Sequence, residues 1–144
     1  MHMQGEPLTM QQAPVYGDVV GEVRAFLEER VIAARAAGIA DDRLVLDPGF
    51  GFGKTLAHNL ELLRRQPELS VDGLPLLAGL SRKSMLGTMT GREVGQRMPA
   101  SIAAALLAAQ RGARILRVHD VAETRDALAV WQALEGMQTA LSAT

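Results

Sequence analysis

The chain has no cysteine, few aromatic residues and no excess of charge of either sign. Without cysteine, disulfides, thiolate zinc sites and a cysteine nucleophile are excluded. Aromatic residues make up 3% of the 144 residues and the net charge is −1, so neither a stacking surface nor a basic patch for nucleic acid or an anionic membrane is expected. The remaining composition, 48% hydrophobic and 22% charged, is that of a soluble globular domain.

Long hydrophobic runs are also missing. The longest uncharged, apolar-rich run covers residues 98–110, whereas a membrane span needs about 20 apolar residues. The first residues lack the basic and apolar stretches of a targeting segment. We therefore expect a cytoplasmic protein with no membrane partner and no nucleic-acid partner.

Helical periodicity alternates with short apolar runs along the chain. Apolar spacing predicts helices over 18–37, from Leu56 to near Pro67, and over 99–110. One further helix is predicted to begin near Ser84, and a last one follows Asp120. Short apolar runs predict strands over 43–47, 74–80 and 114–119, and residues 1–3 are interpreted as the end of an earlier strand. This alternation predicts an α/β fold of parallel βα units.

Polar residues follow each predicted strand. They are His2, then Asp47 with a glycine-rich loop, then Ser81–Ser84, and finally Arg117 and His119. In parallel α/β folds the carboxyl ends of the strands carry the active site. The sequence therefore predicts one pocket built from four distant segments.

The glycine-rich stretch 47–55 reads D-P-G-F-G-F-G-K-T. A carboxylate followed by three spaced glycines lets the backbone approach a ligand closely. A phosphate-binding P-loop would need glycine where Pro48 stands, and the spacing G-x-G-x-G does not match the dinucleotide fingerprint. A flexible turn with Thr55 as helix cap is the structural alternative, and a phosphate-loop nucleotide binder is the functional one.

Two further clusters are cationic. Residues 81–84 bring two cations to the start of a helix, which suits an anion, although a solvated basic turn has the same composition. Arg117 and His119, two apart in a predicted strand, point to one side and suit a phosphate; an ion-paired arginine and a core histidine are the alternative. His2, His58 and His119 show no metal-ligand spacing, so we predict no protein-bound metal.

In combination, these clusters resemble dihydropteroate synthase of the folate pathway. The resemblance covers nearly the whole chain, in the family's order. The matching stretches are Met1–Gly5 with Pro7, Thr9, Met10 and Gln11; Leu46–Lys54; Gly79–Ser84; and Arg117–Val121. The family joins 4-aminobenzoate to 6-hydroxymethyl-7,8-dihydropterin diphosphate and releases pyrophosphate. The resemblance implies a TIM-type (βα)₈ barrel, Mg²⁺ associated with the substrate's diphosphate, and sulfonamides as inhibitors.

The resemblance also implies roles for individual residues in the pterin site. Asp47 would accept hydrogen bonds from the pterin's amino and ring N–H groups. Lys83 would reach the polar edge of the pterin and lie beside the 4-aminobenzoate site, as one of the catalytic residues. Met1 and Gly79 would line the pterin pocket.

The resemblance also implies residues that bind 4-aminobenzoate and residues that bind the diphosphate of the pterin substrate. Gly51 and Phe52 would form the wall near the 4-aminobenzoate ring, and Ser84 would help to anchor the carboxylate of 4-aminobenzoate. Arg117 and His119 would hold the diphosphate leaving group and complete the catalytic set.

A barrel of this type needs about 250 residues. We therefore expect residues 1–144 to form a single partial domain, the C-terminal half of the barrel, with about four strands and four helices. We expect this half to form a homodimer or to need the N-terminal half, and to be inactive alone. The alternatives are a pterin- or phosphate-binding module without turnover, and a small, complete phosphate-binding α/β protein with an open sheet.

Overall fold

The computed structural model describes residues 1–5, 10 and 14–142, with side chains described as far as residue 136. Pro7, Thr9 and Gln11, which contribute to the family resemblance, lie outside the described residues. The helices and strands are α1 (Val19–Ala36), α2 (Leu56–Arg64), β1 (Leu76–Ala78), α3 (Ser84–Thr90), α4 (Met98–Gln110), β2 (Ala113–Leu116) and α5 (Val121–Ser142). Short 3₁₀ helices cover Asp41–Arg43, Gln66–Leu69 and Val94–Gln96.

The strands are parallel, as expected. β1 pairs with β2, placing Leu76 opposite Ala113, and Leu46 joins the other side of β1 through an isolated parallel bridge to Leu76. The N–H of His2 donates to the carbonyl of Asp47 at 3.0 Å, so the N-terminal segment lies next to the Leu46 segment. Four chain segments therefore run side by side and end at a common edge.

The strands are shorter than predicted. Arg43 ends a 3₁₀ helix, so only Leu46 of the predicted strand 43–47 makes a bridge, and residues 1–3 form no strand. Pro48 and Pro75 have no N–H to donate, which limits how far the ladders can extend. The third predicted strand, 114–119, ends at Leu116, so Arg117 and His119 follow the strand instead of lying in it.

Helix α1 supplies one side of the core. Its first N–H groups are capped by Asp18, whose carboxylate accepts from Val20 at 3.2 Å. Its buried residues are Val19, Val20, Val23, Leu27 and Val31. Ile32, the next residue, is 65% exposed, so the buried stripe of α1 is narrow.

Some apolar side chains on β2 and α5 are exposed to solvent. Ala127, Leu128 and Trp131 of α5 are partly buried, whereas Leu134 is 57% exposed and Ile115 in β2 is 39% exposed. In the two-stranded sheet β2 has a strand neighbour on one side only. Apolar surface is therefore left open where the sheet stops. Among the described residues, every helix is too short or too polar to cross a bilayer.

Candidate active site

The polar clusters converge at the carboxyl ends of the parallel segments. A cavity of about 400 Å³ opens there. Its lining residues are Phe52, Gly79, Ser81, Lys83, Arg117, Val118 and His119. These residues come from three separate stretches of the chain, and five of them are predicted site residues. Three of the four segments predicted to meet in one pocket do so; the fourth, at His2, is buried and is not among the lining residues.

Asp47 lies at the edge of this cavity with its side chain only 13% exposed. Its Oδ1 accepts the N–H of Gly49 at 2.8 Å, and its Oδ2 lies 3.8 Å from a guanidinium nitrogen of Arg117. At 3.8 Å the ion pair is longer than a hydrogen bond, and the Arg117 side chain is 59% exposed. Both groups therefore keep hydrogen-bonding capacity for a ligand.

Lys83 crosses the cavity wall and meets the glycine-rich loop. Its Nζ donates to the carbonyl of Phe50 and lies 4.1 Å from the ring centroid of Phe52. A Cβ at Gly51, where φ is +78°, would lie 2.9 Å from Cδ of Lys83, so glycine is needed for this close approach. Burial lowers the pKa of Lys83, and the like charge of Arg117 adds to that effect.

His119 is held by a residue to which the sequence assigned no separate role. The Oγ of Ser81 accepts the backbone N–H of His119 at 3.2 Å and lies 2.9 Å from its Nδ1. The other ring nitrogen, Nε2, is then the one available for a ligand. Beside it, the guanidinium of Arg117 lies over Gly79, where a Cβ would come within 2.9 Å of Nη2.

Four predicted site residues are not among the lining residues: Asp47 and Gly51, described above, and Met1 and Ser84. Met1 is 54% exposed, next to the buried His2. Ser84 is the exposed first residue of α3, and its carbonyl accepts from the Thr88 hydroxyl at 3.1 Å. Their ligand contacts remain predictions.

Arg82, which the sequence grouped with Lys83 as an anion-binding cation, has a structural partner instead. Its guanidinium donates to Asp120 at 2.6 Å, and the hydrogen bond keeps the pKa of Asp120 below its usual range. Arg82 has φ +57°, and this backbone is held by Ser101, which accepts its N–H, and Arg97, which donates to its carbonyl. The contact between Arg82 and Asp120 is visible only in the folded chain.

The glycine-rich loop is not a phosphate cradle. The N–H of Gly49 is bound by Asp47, that of Gly51 by Asn59 Oδ1 at 2.7 Å, and that of Phe52 by the Gly49 carbonyl at 3.1 Å. A P-loop needs such N–H groups free to bind phosphate. These bonds argue against the phosphate-loop alternative. Asn59, 2% exposed, is a further residue that sequence reasoning missed.

His58 and Thr55 form a local cap. Thr55 caps α2, as in the structural alternative for this stretch, and accepts the N–H of His58, while His58 Nδ1 accepts the N–H of Thr55 at 3.3 Å. His58 is partly buried and packs edge-on against Tyr16. In the part of the chain that the structure describes, no group of three or more histidine or acidic residues is arranged to hold a metal.

Lys54 and His2 form a buried pair below the loop. Lys54 is 3% exposed and His2 is 7% exposed, and Lys54 Nζ lies 2.9 Å from His2 Nδ1. Burial and the neighbouring Lys54 charge lower the pKa of His2 to about 4. Burial lowers the pKa of Lys54 to about 8. His2 is therefore neutral in the folded chain near pH 7.

The His2 pair predicts a loss of stability in weak acid. In the unfolded chain the pKa of His2 is near 6.5, above its folded value of about 4, so the unfolded state binds the proton more readily. The contribution of His2 to the free energy of unfolding is complete above about pH 6.5. It is lost as the pH falls toward 4, and the total loss is up to about 3 kcal/mol. Urea unfolding at a series of pH values measures it. His2→Gln should remove this part of the pH dependence; an unchanged slope in that variant would contradict the assignment.

The fold and the site together define a class: a parallel α/β unit of the TIM-barrel type, with its site at the carboxyl ends of the strands. A model of the family described as pterin binding enzyme matches residues 1–119. The chain belongs to this family.

Individual dihydropteroate synthases are similar to this chain in sequence and in structure. Dihydropteroate synthase of Neisseria meningitidis serogroup C is 57% identical over 136 residues, 93% of this chain and 48% of the relative. The crystal structure of the Yersinia pestis dihydropteroate synthase with a sulfonamide drug complex superposes with a TM-score of 0.91 at 47% identity, over 94% of this chain and 50% of that one. The structure of dihydropteroate synthase from Xanthomonas albilineans in complex with 7,8-dihydropteroate superposes with a TM-score of 0.86 at 57% identity. The superposition covers 93% of this chain and 50% of that one. The chain thus spans about half the length of the relatives it matches.

Proposed function

We propose that this chain supplies part of the active site of a dihydropteroate synthase. The reaction would join 4-aminobenzoate to 6-hydroxymethyl-7,8-dihydropterin diphosphate to give 7,8-dihydropteroate and pyrophosphate. The observation that carries the proposal is the convergence of Lys83, Arg117 and His119 on one cavity, with Asp47 3.8 Å from Arg117. The enzymes of known structure to which the chain is similar support the choice of reaction.

Asp47 is the proposed pterin anchor. One carboxylate oxygen is already oriented by the N–H of Gly49, so the group cannot rotate freely. A carboxylate accepts several hydrogen bonds, and two parallel bonds from adjacent N–H groups fit its geometry. The amino and ring N–H groups of a pterin offer such a pair, and Lys83 and Gly79 would complete the pocket around its polar edge.

Arg117 and His119, next to the proposed pterin anchor, suit the diphosphate. Arg117 offers a planar set of donors and is exposed enough to bind an incoming anion, while His119 presents Nε2. In the reaction a C–N bond forms to the aniline nitrogen as the C–O bond to diphosphate breaks, and the aniline nitrogen releases a proton. Donors aimed at the departing diphosphate stabilise the charge that develops on it.

The wall formed by Gly51, Phe52 and Lys83 is the proposed 4-aminobenzoate site. The Phe52 ring offers an apolar surface for the aromatic ring, with the Lys83 ammonium 4.1 Å from the Phe52 ring centroid. Ser84, the residue after Lys83, is the proposed anchor of the carboxylate. Aniline nitrogen is a weak nucleophile, so holding it in line with the breaking bond provides much of the catalysis. No side chain in this cavity is needed as a strong base.

Magnesium would enter with the substrate. Mg²⁺ takes oxygen ligands. The proposed diphosphate site is lined by Arg117 and His119, whose side chains carry nitrogen atoms and no oxygen. Among the described residues no carboxylate or histidine cluster forms a cage for it. The ion would therefore be held by the phosphate oxygens and would neutralise part of their charge.

The exposed apolar residues on β2 and α5 favour a partner. We propose that the sheet is completed by the other half of the barrel, or that a second copy covers the open surface, and that turnover needs this completion. A barrel site draws residues from all of its strands, and this chain supplies only some of them.

Reconstitution tests the function. The chain alone is expected to give no dihydropteroate, and turnover should appear when the missing half of a dihydropteroate synthase is supplied in trans. The two halves of the Neisseria enzyme, mixed in the same way, serve as the positive control. If that control is active and this chain gives no product with the same partner, the enzyme proposal fails. Pterin binding without turnover would favour the non-catalytic binding module.

A further inference from the structure

The lysines of this chain have an unusual placement. Thirteen of its fifteen basic residues are arginine, and the two lysines, Lys54 and Lys83, both contact the glycine-rich loop. Lys83 reaches the loop from the cavity. Lys54, which no part of the proposed reaction uses, reaches it from the buried side and is 3% exposed. A cation buried to this degree costs free energy unless its donors are all satisfied.

The ammonium group of Lys54 has three donors, and three acceptors surround it. They are His2 Nδ1 at 2.9 Å, the Gly49 carbonyl at 3.0 Å and the Phe52 carbonyl at 3.1 Å. All three acceptors converge on a single point. A tetrahedral ammonium meets that geometry, whereas the planar fork of arginine does not.

These acceptors belong to two walls of the site. Gly49 and Phe52 are the two ends of a turn closed by the Phe52 N–H donating to the Gly49 carbonyl, and the Phe52 ring faces the cavity. His2 belongs to the N-terminal segment and packs edge-on against Phe26 at 4.9 Å. The Lys54 side chain touches both walls.

We propose that Lys54 is a positioning residue, which joins the loop 49–53 to the segment Met1–Gly5 and so sets the position of the Phe52 wall. Asn59, which binds the N–H of Gly51, supports the same loop from the same buried side. Without the ammonium, the Gly49 and Phe52 carbonyls and His2 lose their shared donor, and the loop separates from the N-terminal segment. Lys83 then loses the fixed surface over which it lies.

Amide hydrogen exchange tests the proposal through three variants. Lys54→Met keeps the length of the side chain without its donors, Lys54→Arg keeps the charge with the wrong geometry, and Arg125→Met removes an exposed cation on α5 as the matched control. Both Lys54 variants should accelerate exchange at His2, Gly51 and Phe52 at least tenfold more than at Val23 and Leu27 in the core of α1. The control should leave these ratios unchanged. Uniform acceleration, no acceleration, or full protection in Lys54→Arg would overturn the proposal.

A second measurement applies even if Lys54→Met does not fold. With two lysines in the chain, nitrogen-15 labelling of lysine gives two ammonium signals. His2→Gln should shift the Lys54 signal and leave that of Lys83 in place; two unchanged signals would overturn the proposal. The inference rests on the proposed function only for the use of the Phe52 wall, and neither measurement needs turnover. Failure of the positioning role and failure of the enzyme proposal are therefore distinguishable.

Discussion

Replacing Gly49 with alanine is expected to destabilise the folded chain by at least about 3 kcal/mol. Gly49 has φ +70°, and a Cβ there would lie 1.8 Å from the carbonyl oxygen of His2. The backbone strain of a non-glycine residue in this region costs about 1–2 kcal/mol. The clash adds to it, because backbone cannot move aside as a flexible side chain can, and the N-terminal segment must leave the loop. Urea unfolding at pH 7 measures the difference.

Gly91 provides the matched control. It follows α3 with φ +67°, almost the same backbone conformation, and a Cβ there would meet no atom within 4 Å. Gly91→Ala should therefore lower the free energy of unfolding by the backbone strain alone, which is about 1–2 kcal/mol. Equal destabilisation by the two substitutions would mean that the contact between the loop and His2 contributes nothing to stability.

Replacing Asp47 with asparagine is expected to weaken pterin binding by at least about 100-fold while leaving stability within about 1 kcal/mol of the parent chain. Asparagine can still accept the N–H of Gly49 through its oxygen, so the loop keeps its shape. Its NH₂ group would, however, meet a pterin N–H with another donor, and the negative charge is lost. Calorimetric titration of the reconstituted enzyme with a free pterin measures the affinity. Asp42→Asn, in an exposed 3₁₀ helix, is the control.

Arg117→Ala gives the contrasting result in the same titration. It should weaken the diphosphate-bearing pterin far more than the free pterin, because the lost contact is to the leaving group. Unchanged pterin affinity in Asp47→Asn would remove the pterin assignment. Equal losses for both ligands in Arg117→Ala would remove the diphosphate assignment.

Helices and the positions of the site clusters were predictable from local pattern. Apolar spacing, Thr55 as a cap and Pro99 at the start of α4 are all read within a few residues, and the structure contains each of them. The rule that parallel strands end at a common edge then placed Asp47, Lys83 and Arg117 together. Strand lengths were less predictable, because a strand exists only where a neighbour offers hydrogen bonds, and a proline removes one of them.

The amino-acid order alone was enough to establish a parallel α/β unit with its polar residues at one edge, because burial and turn chemistry act over short distances along the chain. The partners of individual polar groups were decided only by the tertiary structure. Lys54 meets His2 across 52 positions, and Arg82 meets Asp120 across 38. Charge and spacing cannot show which of two neighbouring cations binds a ligand and which is held by a distant carboxylate, since that depends on where the folded backbone places the acceptor.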